Sequence, residues 1–171
     1  MLGTSGSLSA RLGDSPLRVL ITVSGADKGQ LRPEHFLEIS DFSDVADPKA
    51  SSEAFHAGGK RPSGETLVHE AIYRRVPNAG ACYHVHSVAS TLVSVDGPTT
   101  FRDLEMLKGL GRWEPGAEVT VPVVPNHRDI PALATAVAEA ADPSVPGVLV
   151  AGHGLYAWGP DPAQCKRHVE I

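Results

Sequence analysis

The stretch ACYHVHS (81–87) places His84 and His86 two positions apart in an otherwise apolar run. On a strand, residues i and i+2 share a face about 6–7 Å apart, so both imidazoles can converge on one tetrahedral cation. Cys82 falls on that same face. Taken alone, such a pair is more commonly two hydrogen-bonded histidines at a sheet edge. His153, in AGHGL, shifts the balance, because glycines on both sides leave the backbone free and clear space around the ring. Three neutral histidines would leave zinc its full double charge and an open coordination position, with Cys82 at most a stray fourth ligand. That is a catalytic arrangement rather than a closed structural one. His35, His56, His69, His127 and His168 fall in helical or loop contexts and read as surface or structural.

Two carboxylates lie in range of this chemistry. Glu105 follows the histidine strand in LEMLKG and could move protons as acid and base beside a metal-bound substrate. From local sequence alone, an exposed helical glutamate is the better explanation. Glu65 falls in the first turn of a predicted helix, where the dipole already stabilises a negative charge. Three Gly/Ser-rich stretches could cradle a phosphate: GTSGSLS (3–9), VSGADKG (23–29) and the helix start at Ser63. Small residues let backbone N–H groups approach an anion, and Lys28 adds a point charge.

The elements that must hold these residues follow from pattern. LRVLITV (17–23) reads as a strand and LRPEHFLEI (31–39) as a short helix entered through Pro33. Residues 43–61 lack periodicity and read as a loop or strand pair. PSGETLVHEAIYRRV (62–76) has helical spacing with Ser63 as N-cap, and Pro77 and Asn78 end it before the strand GACYHVH. SVASTLVSV (87–95) fits a short helix. In TTFRDLEMLKGLG (99–111), Thr100 and Asp103 form a capping-box pattern that predicts another. EVTVPVV (118–124) is a strand, IPALATAVAEAA (130–141) a helix and GVLVAGHGLYAWG (147–159) a strand–turn–strand. Asp161, Pro162 and Gln164 open a last helix. Strands and helices thus alternate with both hairpin and helical joins, which predicts a layered α/β domain with a mixed sheet.

Composition bounds the setting. The 171 residues fit one domain over 1–171, with 42% apolar and 20% charged residues as in ordinary globular proteins. A net charge of -5 gives no basic footprint for nucleic acid, and no apolar run approaches a membrane span. The two cysteines make no disulfide framework, which suits a reducing cytoplasm.

The order TSGSLSARL, ITVSGADKGQL, PSGETLVHEAIYR, HVHS, LEMLKG, GHGLYAWG and KRHVE resembles the class II aldolase/adducin family over nearly the whole chain. SGADKGQL, LEMLKG and HGLYAWG favour its dehydratase branch over its sugar-phosphate aldolases. The resemblance implies a three-layer α/β/α fold around a mixed, largely antiparallel sheet, assembled as a homotetramer with sites at subunit interfaces. It implies Zn2+ on His84, His86 and His153, and Glu105 as the acid/base. Glu65 matches the glutamate that in the aldolases sits beside the metal as the base. Ser24, Gly25 and Ser63 match phosphate-binding positions, and Ser7 stands where the family usually has Asn. The implied substrate is a phosphorylated ketose. The alternatives are an aldolase or pentulose-phosphate epimerase on the same scaffold, and a non-catalytic adducin-like interaction protein. Members of that last kind typically lack the three histidines.

Overall fold

Alternating burial along Ser7–Asp14 and Leu17–Thr22 marks strands with one face turned inward, whereas Gly147–Val150 is buried throughout, as a strand inside a sheet is. The structure is a computed structural model that describes residues 5–46 and 59–171. Its strands are β1 (Ser7–Asp14), β2 (Leu17–Thr22), β3 (Phe36–Ile39), β4 (Ala81–Val85), β5 (Thr99–Arg102), β6 (Glu118–Val121), β7 (Val123–Val124), β8 (Gly147–Val150) and β9 (Gly154–Gly159). Seven of them form a sheet in the order β3-β2-β1-β4-β9-β8-β7, and β5 and β6 form a separate ribbon. Every pair is antiparallel except β7 with β8, whose parallel join is made by a helical crossover. The sheet is therefore mixed and largely antiparallel, as expected.

The helices are α1 (Ser43–Ala46), α2 (Thr66–Arg75), α3 (Val88–Val93), α4 (Ile130–Ala140) and α5 (Pro162–Glu170). Val68, Ile72 and Tyr73 of α2 and Leu133 and Val137 of α4 pack on Val19, Ile21, Cys82, Tyr156 and Trp158 of the sheet. On the opposite side α5 lies against β9 and β4, giving the α/β/α layering. Asp161 accepts from the Gln164 N–H at 2.8 Å, so the cap predicted for α5 forms, and Asp129 caps α4 in the same way, accepting from the Ala132 N–H at 3.0 Å.

Three local expectations give way to tertiary pairing. Pro33 does open a helical turn, but it ends at His35 because Phe36–Ile39 pair with β2. Helix α2 starts at Thr66 rather than after Ser63, because the Ser63 N–H bonds the Thr22 carbonyl at 3.1 Å and holds that backbone beside the sheet. The predicted helix over 99–111 is instead β5 followed by a 3-10 turn, Glu105–Leu110. Thr100 pairs with Thr120, and Asp103, at φ 51, accepts from the Gly116 N–H instead of capping a helix. Of the stretch 43–61, residues 47–58 lie outside the described residues.

A polar seam runs through the core beside β4. His69 of α2 is fully buried, with Nε2 2.8 Å from the Ser7 hydroxyl and Nδ1 2.7 Å from the Ser9 hydroxyl. Ser9 also meets the Tyr73 hydroxyl at 2.8 Å. The Arg11 guanidinium donates to the carbonyls of Tyr73, Val76 and Ala79, closing the C-terminal end of α2 onto β1. Gly154, at the start of β9, is pressed against β4. A Cβ there would meet the Val85 carbonyl oxygen at 2.4 Å and ring carbons of His84 and His86 at 3.2 Å.

Burial holds the His69 imidazole neutral, its pKa down to about 3. Between that value and the usual 6.5 of the unfolded chain, only the unfolded state takes the proton, so acid favours unfolding across that window. Urea unfolding should therefore show stability falling below pH ~6.5, and His69→Gln should make that slope shallower. An unaltered slope would remove His69 from the acid response. Gly154→Ala should destabilise the fold by about 1–3 kcal/mol through overpacking, seen as a thermal midpoint lower by several degrees. An unchanged midpoint would show that β4 yields there.

Candidate metal centre

The antiparallel register sets His84 opposite Tyr156 and Val85 opposite Leu155. Pairing of β8 with β9 continues down to Val150 opposite Gly154, so the turn between them carries His153 back over the end of β4. Gly152 turns the chain at φ 62, a conformation that side chains rarely adopt. His84, buried within the sheet, and His86, exposed just past its edge, come from the same strand run. Glu65 enters from the cap position of α2.

These four side chains converge. His84 Nε2 lies 2.7 Å from His86 Nε2, and His86 Nε2 lies 2.9 Å from His153 Nε2. Glu65 Oε2 is 3.1 Å from His84 Nε2 and Oε1 is 3.6 Å from His153 Nε2. One donor atom from each of the four lies within 4.8 Å of the others. His84 Nδ1 donates to the Leu155 carbonyl at 3.1 Å, which leaves Nε2 as the free lone pair directed at the group.

Electrostatics agree with ligand chemistry. Burial, then the neighbouring imidazoles, holds His84 well below the usual histidine range. Burial also lowers His86 and His153, with the Glu65 charge opposing at His86. Burial raises the Glu65 carboxyl, opposed by the Tyr156 hydroxyl and by His86. Three imidazoles that stay unprotonated at neutral pH and a carboxylate on one point form the donor set of a divalent cation such as zinc. The buried His153 Nδ1 has no hydrogen-bond partner among the described residues, which suits a ring held through its other nitrogen.

The remaining sequence-predicted residues divide. The Ser24 N–H bonds the Arg61 carbonyl at 2.8 Å, tying the loop after β2 to the approach of α2, where Ser63 sits. Gly25, at φ 76, has nothing within 4 Å of where a Cβ would stand. Lys28 is buried beside them, its ammonium donating to the Ala26 carbonyl at 2.7 Å. Ser7 lies opposite His84 in the β1–β4 register, but its hydroxyl is fully buried on His69 and is not presented to solvent. Glu105 stands apart from the histidine group, 81% exposed and paired with Lys108 at 2.7 Å. Cys82 is buried in the main core rather than at the group. Sequence reasoning passed over Tyr156, whose ring stacks on His84 with centroids 4.1 Å apart. The same period-2 alternation that pairs His84 with His86 puts Tyr156 on their face, once the β4–β9 register is known.

The chain is similar to known proteins in sequence and in fold. A dehydratase from Methylococcus capsulatus, methylthioribulose-1-phosphate dehydratase, is 44% identical over 98% of this chain and 78% of its own length. The protein of the same name from Bacillus subtilis is 39% identical over 98% of this chain and 78% of its own length. Among solved structures, L-fuculose-1-phosphate aldolase from Thermus thermophilus superposes with a TM-score of 0.67 at 29% identity, covering 99% of this chain and 76% of that one. The sequence pattern of the class II aldolase and adducin N-terminal domain matches residues 1–171. With the histidine–glutamate group standing on that fold, the chain belongs to the class II aldolase and adducin family.

Proposed function

We propose that this protein is a zinc-dependent dehydratase. It removes water from 5-methylthioribulose 1-phosphate to give 2,3-diketo-5-methylthiopentyl 1-phosphate, a step of methionine salvage. The convergence of His84, His86, His153 and Glu65 carries this reading, on a chain 37–44% identical to proteins named as that dehydratase. His84, His86 and His153 hold the metal, which when bound supplies a Lewis acid toward the ketone and neighbouring hydroxyl of the substrate.

The rest is the work of the chain. The hydroxyls of Ser24 and Ser63 and the Gly25 backbone take the phosphate, with Lys28 as the nearby charge. A carboxylate takes the hydrogen from carbon 3, whose acidity the adjacent ketone raises. Glu105 donates a proton to the hydroxyl leaving carbon 4, so that one water departs and an enol remains. Protonation at carbon 4 converts that enol to the 2,3-diketone.

Glu105 is exposed and outside the histidine group of its own chain. It therefore acts on the site of a neighbouring copy, in a cytoplasmic homotetramer. No helix among the described residues is long and apolar enough to cross a membrane. A second reading, a sugar-phosphate aldolase, is favoured by the likeness to L-fuculose-1-phosphate aldolase and by Glu65 standing beside the histidines.

Mass spectrometry of the zinc-loaded protein with methylthioribulose 1-phosphate should show a product lighter by one water, absent with His84→Ala. Cleavage fragments would establish the aldolase instead. Glu105→Gln should keep its zinc and lose about a hundredfold or more in turnover, the scale of general acid–base catalysis. Mixing His84→Ala with Glu105→Gln subunits should restore part of the activity, since each supplies what the other lacks. A mixture as inactive as its components would confine Glu105 to its own chain or remove it from the mechanism.

A further inference from the structure

His84 and His86 stand on one strand run, whereas His153 reaches them from the turn between β8 and β9. Strand pairing ends at Val150 opposite Gly154, so the backbone of residues 151–153 lies outside that ladder. The His153 N–H closes the turn onto the Val150 carbonyl at 3.0 Å, and the Ala151 N–H donates to the Val124 carbonyl at 2.9 Å. Gly152, at φ 62, is third in this turn, the left-handed place of a type II turn. Its N–H belongs to the central peptide, takes no part in the closing bond and needs an acceptor of its own.

Helix α3 supplies that acceptor. The Gly152 N–H donates to the Ser94 hydroxyl at 3.0 Å. Ser94 is fully buried, and its single proton faces the Thr91 carbonyl at 3.0 Å and the Val150 carbonyl at 3.3 Å. The Thr91 hydroxyl lies 2.9 Å from the Ser87 carbonyl and 3.2 Å from the carbonyl of His153 itself. Positions three apart share a helix face, so both hydroxyls meet the turn together. Apolar burial does not account for where α3 sits, because its larger apolar side chains, Val88, Leu92 and Val93, are exposed. The helix is capped by Ser87, the residue after His86. One short element thus continues from one histidine and grips the turn that carries another.

We propose that α3 is a clasp on the metal centre, with Ser94 and Thr91 as positioning residues that hold His153 against His84 and His86. Groups that act together on one point must be held within about 0.5 Å of their working geometry. The Ser94 bond fixes the plane of the Ala151–Gly152 peptide. Without it that peptide is free to turn over, since a type I turn closes through the same bond from His153 to Val150. The His153 ring then leaves the point it shares with the other two. This inference rests on the metal site proposed above and is independent of which reaction that site performs.

The test uses the full chain loaded with cobalt, whose visible absorption reports coordination. Ser94→Ala should still bind one cobalt, but with an altered band, and should lose it to excess EDTA about tenfold or more faster, the scale for groups that orient metal ligands. Thr91→Val should change both readouts in the same direction, and it carries the test alone if Ser94→Ala does not fold. Ser94→Thr keeps the hydroxyl and should restore most of the wild-type behaviour. Val137→Ala, which weakens the core away from the turn, should leave spectrum and release unchanged. In the metal-free chain, NMR should show exchange of the Gly152 amide slowed in the wild type and about tenfold or more faster in Ser94→Ala. Wild-type spectrum and release in both Ser94→Ala and Thr91→Val would overturn the proposal. An equal effect of Val137→Ala would do the same, leaving α3 a general structural element. If the wild-type chain takes up no cobalt, the metal reading fails and this inference falls with it, even where the exchange result shows the clasp formed.

Discussion

The antiparallel register of β4 on β9 is the constraint from which the site is built. It fixes His84 across from Tyr156, and it brings the β8–β9 turn with His153 over the end of the histidine strand. Gly154 allows the closest approach, since any side chain there would strike the Val85 carbonyl and both histidine rings. Strand pairing positions side chains to within the pleat spacing at little entropic cost beyond that of the sheet itself. Three of the four converging groups are therefore placed by β4 or by the turn between β8 and β9, and only Glu65 arrives from a helix end.

Such a group is costly to assemble. Imidazole nitrogens within 3 Å of one another repel if protonated, and burial already disfavours their charge. The fold lowers that cost by keeping the rings neutral and by giving His84 a backbone acceptor. The buried seam of Ser7, Ser9, His69 and Tyr73 continues the same logic below the site. Each polar group there has a partner, so it stiffens β1 against α2 without leaving unsatisfied atoms beneath the histidines.

What the chain reveals on reading follows the range of the forces involved. The face shared by His84 and His86 is a property of three successive residues, and it needs only the period of a strand. The caps at Asp129 and Asp161 are likewise settled within four residues. The segment 99–111 was misread because Thr100 and Asp103 match a helix start locally, while the partner that makes Thr99–Arg102 a strand lies at Glu118–Val121. Ser7 was expected to face an anion; its orientation is set by His69, 62 residues away. Glu65, read from its helix position alone, needed only a dipole to explain it. Its place beside the histidines depends on how α2 is set against the sheet, which no local pattern carries.

A fold shared by proteins named as dehydratases and as aldolases cannot by itself choose between breaking a carbon–oxygen and a carbon–carbon bond. A cation bound to three histidines polarises a ketone equally well for either outcome. On the proposed reading the choice lies with groups that deliver protons to particular atoms, among them Glu105, outside the main sheet. Glu105 is carried by an exposed 3-10 turn at the end of a two-stranded ribbon, where length and sequence can change without disturbing β4 or β9. The architecture separates a histidine group fixed by strand register from Glu105, the proposed proton carrier, on a peripheral element. Such a division lets one scaffold keep its metal chemistry while the reaction built on it diverges.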